Sequence, residues 1–363
     1  MQQLTSFGVA ALGLALISGV GIPKGPEVFG SQAGDDCAGI APKGLPDSTS
    51  VVIPHPEGRP CNGSVSVDGQ GNVLGGSDDW TVFRSDGTPI MRLLRGSWLM
   101  PQPIGFHLLH IMIGDPWGHA YTHRWVNPDG LWGPELFVGG EYCYAELGRN
   151  VAGGSFVLTA CRPPDRGLHL RRFDPEGHLT AQSVIADSSH GVTGTTDLNG
   201  LTFVVFLDAT MFGFGPDDYA ARWYDEMANP VTDYFLLFTA PGDHQMSNAF
   251  ARPLIGGGVA VQIQGDWVAI SPSGLAESLS PPEWLASRSN YDIEIVRGGR
   301  AHALIPKWPV PDRSTIPLYS ASGNHCADVT FPLANVTVGM DGTAISVTGE
   351  DLCTMTWWPQ VLP

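Results

Sequence analysis

The chain has 363 residues, 43% of them hydrophobic and only 15% charged, with 46 glycines and 30 prolines. That composition excludes wholesale disorder and a collagen-like repeat, and long Glu/Lys/Ala-rich stretches of the kind that build helices are absent. Lys and Arg number 19 against 36 Asp and Glu, a formal net charge of −17; with no basic cluster to offset it, this field repels phosphate backbones and argues against a nucleic-acid partner.

Residues 7–22, FGVAALGLALISGVGI, form an uncharged apolar run. A bilayer span needs roughly 20 apolar residues, so the expectation is a secretory signal over 1–33, with Ser31–Ala33 supplying small residues for cleavage and no membrane span in the mature chain. MQQLTS carries no Lys or Arg, so the usual basic start is missing, and a buried N-terminal strand or disordered lead is the alternative. A Pro/Gly-rich segment over 34–60 comes next. The six cysteines, Cys37, Cys61, Cys143, Cys161, Cys326 and Cys353, fall as three locally spaced pairs. An even number of cysteines behind an export signal predicts disulfides, with sequential pairing expected because each pair then bridges a local loop or neighbouring strands. The expected location is secreted, periplasmic or cell-surface. No C-x-x-C spacing occurs, which leaves zinc and thiol redox chemistry without a motif.

From residue 61 onward one turn recurs. VFRSDG ends at Gly87, WVNPDG at Gly130, RRFDPEG at Gly177, AISPSG at Gly274 and LYSASG at Gly323, in steps of 43, 47, 97 and 49 residues. The double step hides a degenerate copy, ARWYDEMANP, near 225–229. Four residues before each glycine stands an aromatic or branched side chain: Phe83, Val126, Phe173, Ile270 and Tyr319, with Tyr224 in the degenerate copy. A second signature, a glycine turn running into an apolar strand, precedes most copies, as in AGGSFVLTA and IGGGVAVQI. Each copy then holds four antiparallel strands, A to D, with the glycine signature between A and B and the acidic turn between C and D. Four strands per 43 to 50 residues is the spacing of a propeller blade. The prediction is an all-β propeller of six blades over 61–325, with seven as the alternative. The tail, 326–363, forms either closing strands that pair with SVSVDGQGNVLGG or a small cap.

On these motifs the chain resembles secreted bacterial β-propeller-like proteins with degenerate R-W/F-Y/F-D-x-x-G blades. The resemblance spans about residues 60–325 and implies architecture; it carries over no catalytic residue. The turns also resemble the Asp-box of sialidase-type propellers, although no copy holds the full pattern.

The loops between strands B and C vary from copy to copy, and varied loops on a rigid scaffold are where binding resides. They supply Asp79, Asp115, Asp165, Asp218, Asp266 and Asp312, joined by Trp117, His119, Trp267 and Trp308. Carboxylates at this face suit Ca²⁺ through oxygen ligands or a basic partner, and Trp suits a sugar ring; the plainer role is local turn formation and packing. No H-E-x-x-H, G-x-S-x-G or phosphate loop is present. His107 and His110, three apart in an apolar strand, fall on opposite faces and read as packed or surface side chains. The expected function is an exported binding module for a protein, glycan or cation, with no cofactor beyond Ca²⁺. The alternative is a carbohydrate-active enzyme with carboxylates in the axial channel.

If the loop aspartates hold Ca²⁺, millimolar CaCl₂ raises the melting temperature several degrees over EDTA while Mg²⁺ does not; equal melting in all three buffers removes the cation.

Overall fold

The computed structural model describes residues 36–40, 44–53, 64–76, 80–93, 97–114, 118–140, 143–151, 153–161, 167–186, 192–206, 213, 215, 218–239, 249–263, 266–270, 278–279, 281–286, 288–296, 300–307, 313–339, 341–349 and 353–362. Strand β1 (Thr49–Ile53) comes first, and blade 1 follows as β2 (Ser64–Val67), β3 (Val73–Gly76), β4 (Trp80–Phe83) and β5 (Pro89–Leu93). Blade 2 is β6 (Ser97–Pro101), β7 (Phe106–Gly114), β8 (Gly118–Val126) and β9 (Leu136–Gly139). Blade 3 is β10 (Cys143–Arg149), β11 (Ser155–Cys161), β12 (Gly167–Phe173) and β13 (Leu179–Ala186). Blade 4 is β14 (Val192–Thr196), β15 (Thr202–Phe206), β16 (Asp218–Tyr224) and β17 (Phe235–Thr239). Blade 5 is β18 (Ala249–Pro253), β19 (Val259–Ile263), β20 (Asp266–Ile270) and β21 (Ser278–Leu279), followed by a one-turn helix α1 (Glu283–Ala286). Blade 6 is β22 (Tyr291–Val296), β23 (Ala301–Pro306), β24 (Thr315–Tyr319) and β25 (His325–Thr330). The last three strands, β26 (Val336–Val338), β27 (Ala344–Thr348) and β28 (Cys353–Trp358), complete a sheet with β1.

The molecule is therefore a seven-bladed β-propeller, and the expectation of six blades is corrected. The sequence holds six copies of the recurring turn, one for each blade whose four strands are contiguous. The seventh blade takes its fourth strand from the other end of the chain: β1 pairs antiparallel with β28, Thr49 opposite Trp357 through Ile53 opposite Cys353. A blade split in this way has no such turn to count. The closing strand is TSVVI; the segment SVSVDGQGNVLGG, expected to pair with the tail, forms the first two strands of blade 1. The seventh blade does have the other turn, between its first two strands: Gly339 N–H donates to Thr343 O (2.8 Å) and Gly342 N–H to Gly339 O (3.0 Å).

The degenerate turn of blade 4 keeps the geometry of its relatives. Asp225 N–H donates to Asn229 O (2.9 Å), as Asp174 N–H does to His178 O (3.0 Å) in blade 3. Ala228 stands at φ 61°, where Gly87, Gly130, Gly177 and Gly323 lie between 84° and 88°. An alanine there bears strain of roughly 1–2 kcal/mol, offset in part by burial of its methyl, which is wholly enclosed.

Burial explains the apolar second strands. In β15 all five residues are buried. Phe203 and Val205 pack toward blade 5, while Val204 and Phe206 pack toward blade 3. Seven apolar layers result, one between each neighbouring pair of blades. Disulfides add to them. Cys143 bonds Cys161 across β10 and β11, and Cys37 bonds Cys326. Sequential pairing is thus corrected for Cys37 and Cys326, because ring closure brings the N-terminal lead against blade 6. Cys353 is also disulfide-bonded, and Cys61 lies outside the described residues.

Buried polar side chains latch one blade's turns to the next. Gly105 N–H donates to Asp68 Oδ2 (2.8 Å), Gly154 N–H to Gln102 Oε1 (2.6 Å) and Ile255 N–H to His302 Nε2 (2.9 Å). Between blades 2 and 3, His107 Nε2–H donates to Pro175 O (3.0 Å), so its Nδ1 accepts from Ser155 Oγ (2.7 Å), and Ser155 Oγ also receives His123 Nε2–H (3.2 Å). Every ring in that chain is neutral. Burial first of all pushes His107 and His302 down to about 4, and burial with the neighbouring His107 pushes His123 down to about 2.

The unfolded chain binds protons at these three histidines below about pH 6.5 and the folded chain does not, so stability rises with pH through that window. Glu146, raised to about 7 by burial, works the other way between its ordinary value and 7, and one group against three loses. Unfolding in urea at pH 5 is expected to show roughly 3 kcal/mol less stability than at pH 7. Equal or greater stability at pH 5 would contradict neutral latches.

Candidate functional site: the axial channel

Strands A and C of every blade begin on the same face of the ring, so the predicted loop residues share a face with the start of the innermost strands. Asp79, Asp115, Trp117, Asp165, Trp308 and Asp312 lie outside the described residues. His119 is placed by its backbone only, in β8 opposite Ile113. Asp218 opens β16 and accepts from Gly215 N–H (2.6 Å) and Thr239 Oγ1 (2.6 Å). Asp266 is exposed at the start of β20. Trp267 beside it is buried, its Nε1–H donating to Arg288 O (3.1 Å). Among the described residues no cluster of three or more His, Cys, Asp or Glu is arranged to hold a metal ion.

Along the axis lies a cavity of about 380 Å³ to which all seven innermost strands contribute. Its wall carries hydroxyls from Ser66, Thr193, Thr195 and Thr337, the apolar side chains of Met100 and Phe250, and four charged groups: Glu146, Arg149, Arg252 and Glu294. Glu146, Arg252 and Glu294 occupy alternate positions of strands whose intervening residues feed the apolar layers, and Arg149 stands at the end of β10. In β10, Ala145 and Leu147 pack between blades 2 and 3 while Glu146 faces the axis. In β22, Ile293 and Ile295 are buried and Glu294 lines the cavity.

The charges are arranged in pairs. Arg149 Nη1 donates to Glu294 Oε1 (2.7 Å). Blades 3 and 6 are separated by two blades on one side and three on the other, so this pair crosses the axis. Arg252 donates through Nε and Nη2 to both oxygens of Asp292 (2.8 Å each), the planar fork that suits a carboxylate. Burial opposes charge on both members. The pairing overcomes it, so Asp292 sits below its ordinary range and Arg252 above. Glu146 has a gentler neighbourhood: Thr193 Oγ1–H donates to its Oε1 (2.7 Å), with Gly194 N–H also bonded and Arg252 nearby. Burial exceeds these and pushes Glu146 up to about 7.

Aromatic side chains stand at the end where the innermost strands begin. Trp98, Tyr144 and Phe250, each the second residue of its strand, are 41–49% exposed. Lys307 holds its ammonium 5.0 Å from the Phe250 ring and 5.8 Å from that of Trp267, and donates to Gln262 Oε1 (2.6 Å).

Sequence reasoning looked to the B-to-C loops and missed Glu146, Arg149, Arg252, Asp292 and Glu294. The signal available was charge within the apolar first strand of a repeat: CYAELGR, AFARP and YDIEIV.

No family model and no curated protein matches the chain. Solved structures do. It is similar to BamB from Moraxella catarrhalis at 12% identity and a TM-score of 0.39, covering 86% of this chain and 97% of that one. A quinonprotein alcohol dehydrogenase-like protein from Bacteroides thetaiotaomicron aligns at 11% identity and 0.40, over 82% and 68%. A protein of unknown function from Bacteroides caccae aligns at 17% identity and 0.33, over 61% and 81%. At these values none informs the site.

The channel pairing is testable by a double-mutant cycle. Asp292→Asn alone strands the Arg252 charge and should lower stability by about 1–3 kcal/mol. Replacing both partners with apolar residues, Arg252→Met with Asp292→Leu, should recover most of that loss in urea unfolding. A double variant as damaged as the sum of its singles would show the pair to be energetically idle.

Proposed function

We propose that this chain is an exported binding module that takes a small polar ligand in its axial channel, entering past the aromatic side chains. One observation carries the reading: the innermost strands, the best-shielded part of the ring, enclose a cavity lined by hydroxyls and paired charges. Concave sites with a few convergent polar groups are where small ligands bind. The B-to-C loops, with their aspartates, would form the outer rim of the entrance. Export is supported by the apolar run over 7–22 and by disulfides at Cys37–Cys326 and Cys143–Cys161, which persist in oxidising compartments. Among the described residues no helix is long and apolar enough to cross a membrane.

A second reading, a carbohydrate-active enzyme, is favoured by one specific feature. Glu146, raised to about 7, keeps a proton near neutrality, as the general acid of glycoside cleavage must.

The test is a melting-temperature screen of mono- and disaccharides, amino acids and small amines, followed by titration of every stabilising compound. A ligand of the channel should bind Phe250→Ala and Arg252→Met at least tenfold more weakly than the wild type. Unchanged affinity in both variants would place binding elsewhere. New reducing ends that vanish in Glu146→Gln would select the enzyme reading.

A further inference from the structure

Four ionisable groups line the axial cavity: the carboxylates of Glu146 and Glu294 and the guanidiniums of Arg149 and Arg252. Three of them have an ion-pair partner. Arg149 is bonded to Glu294 at 2.7 Å and Arg252 to Asp292 at 2.8 Å. Glu146 is left over, its hydrogen-bonding partners being the neutral Thr193 hydroxyl and Gly194 N–H. From these positions we infer that the cavity takes a small organic monocation, an ammonium compound seated against Glu146. The inference rests on the channel reading above and names its ligand class.

The pairing decides the sign. Among the described lining residues Glu146 is the charged group whose hydrogen-bonding partners are all neutral, and Lys307, which does not line the cavity, donates to Gln262 instead. A carboxylate so placed is neutralised by a proton or by a cation. An anionic ligand would need a free guanidinium in the lining, and both are engaged. A neutral ligand would leave Glu146 without a counter-ion. The aromatic side of the cavity agrees, because Phe250 lines it and its ring already faces one ammonium, that of Lys307 at 5.0 Å. An aromatic face next to a carboxylate is the chemistry that recognises alkylammonium groups.

Proton and ligand then compete for one carboxylate. The groups that act on Glu146 are Tyr144 on β10, Thr193 on β14 and Arg252 on β18, with Arg149 on β10 and Glu294 on β22 in the same cavity wall; the described lining residues of β2, β6 and β26 bring no charge. With Glu146 at about 7, a cation whose own charge is fixed should bind about tenfold more tightly at pH 8 than at pH 6.

The experiment titrates the intact protein by calorimetry with choline, its uncharged isostere 3,3-dimethylbutanol, and the anion 3,3-dimethylbutyrate. Choline is expected to bind at least tenfold more tightly than either, to gain about tenfold between pH 6 and pH 8, and to release protons at pH 7 in proportion to occupancy. Glu146→Gln should fold and lose both the preference and the pH dependence; proton release by the wild type stands as evidence if that variant fails to fold. Equal binding of the isostere or of the anion overturns the inference and leaves the channel as a site for another class. The same holds if choline is silent while a compound from the screen binds the channel. If no compound of any charge binds there, the channel reading falls with it.

Discussion

The ring depends on satisfying the backbone of its own turns. The turns between first and second strands share one face of the ring, and several of their N–H groups are buried against the neighbouring blade. A buried donor without an acceptor forfeits its hydrogen bond and its hydration together. The neighbouring blade supplies the missing acceptor: Asp68 for Gly105, Gln102 for Gly154, Asp197 for Gly258, His302 for Ile255. Arg172 does the converse, donating to Gly200 O and Asp225 O of blade 4 at 2.9 Å each, and Trp357 carries the chain of contacts back to blade 1 through Ser85 O at 3.0 Å. Apolar layers hold the blades together without direction. These polar latches fix how far each blade turns against the next, and so fix the width of the axis.

That dependence also explains what could be read from the sequence. The acidic turns were legible because tight turns demand Gly at positive φ and an Asp or Asn to cap them, and even the degenerate copy kept Tyr224 and Asp225 in step. Its missing glycine was not legible as such, since Ala228 bears the strain that the others avoid. The blade count failed for a topological reason. β1 and β28 lie 300 residues apart in the chain, and no local pattern announces that TSVVI will pair with CTMTWW. The turn in VTVGMDGTAISV was the available clue, because a turn between first and second strands exists in a split blade while the other turn does not. The same closure overturned nearest-neighbour pairing for Cys37.

The site escaped for a different reason. A charged residue inside an apolar strand has two explanations in sequence, an exposed outer face or an axis, and only the strand's place within its blade decides between them. Glu146, Arg252 and Glu294 sit on first strands, where outward-facing positions look onto the channel. Once the repeat is phased on its turns, that assignment becomes possible; without the phase, CYAELGR reads like any amphipathic strand.

Stability does not account for a charged axis. Paired ions held away from bulk water recover their desolvation only in part, and well-packed apolar side chains of similar volume commonly hold a structure at least as firmly. Apolar side chains at these inward positions would avoid that desolvation cost altogether. Instead the chain sends Arg149 across the channel from blade 3 to Glu294 on blade 6, and leaves about 380 Å³ unfilled beside it. The cross-axis pair prevents collapse of the cavity, and the latches prevent the ring from tightening around it. The scaffold thus holds open a polar space at its centre at some expense of packing, which is what supports reading that space as the ligand site.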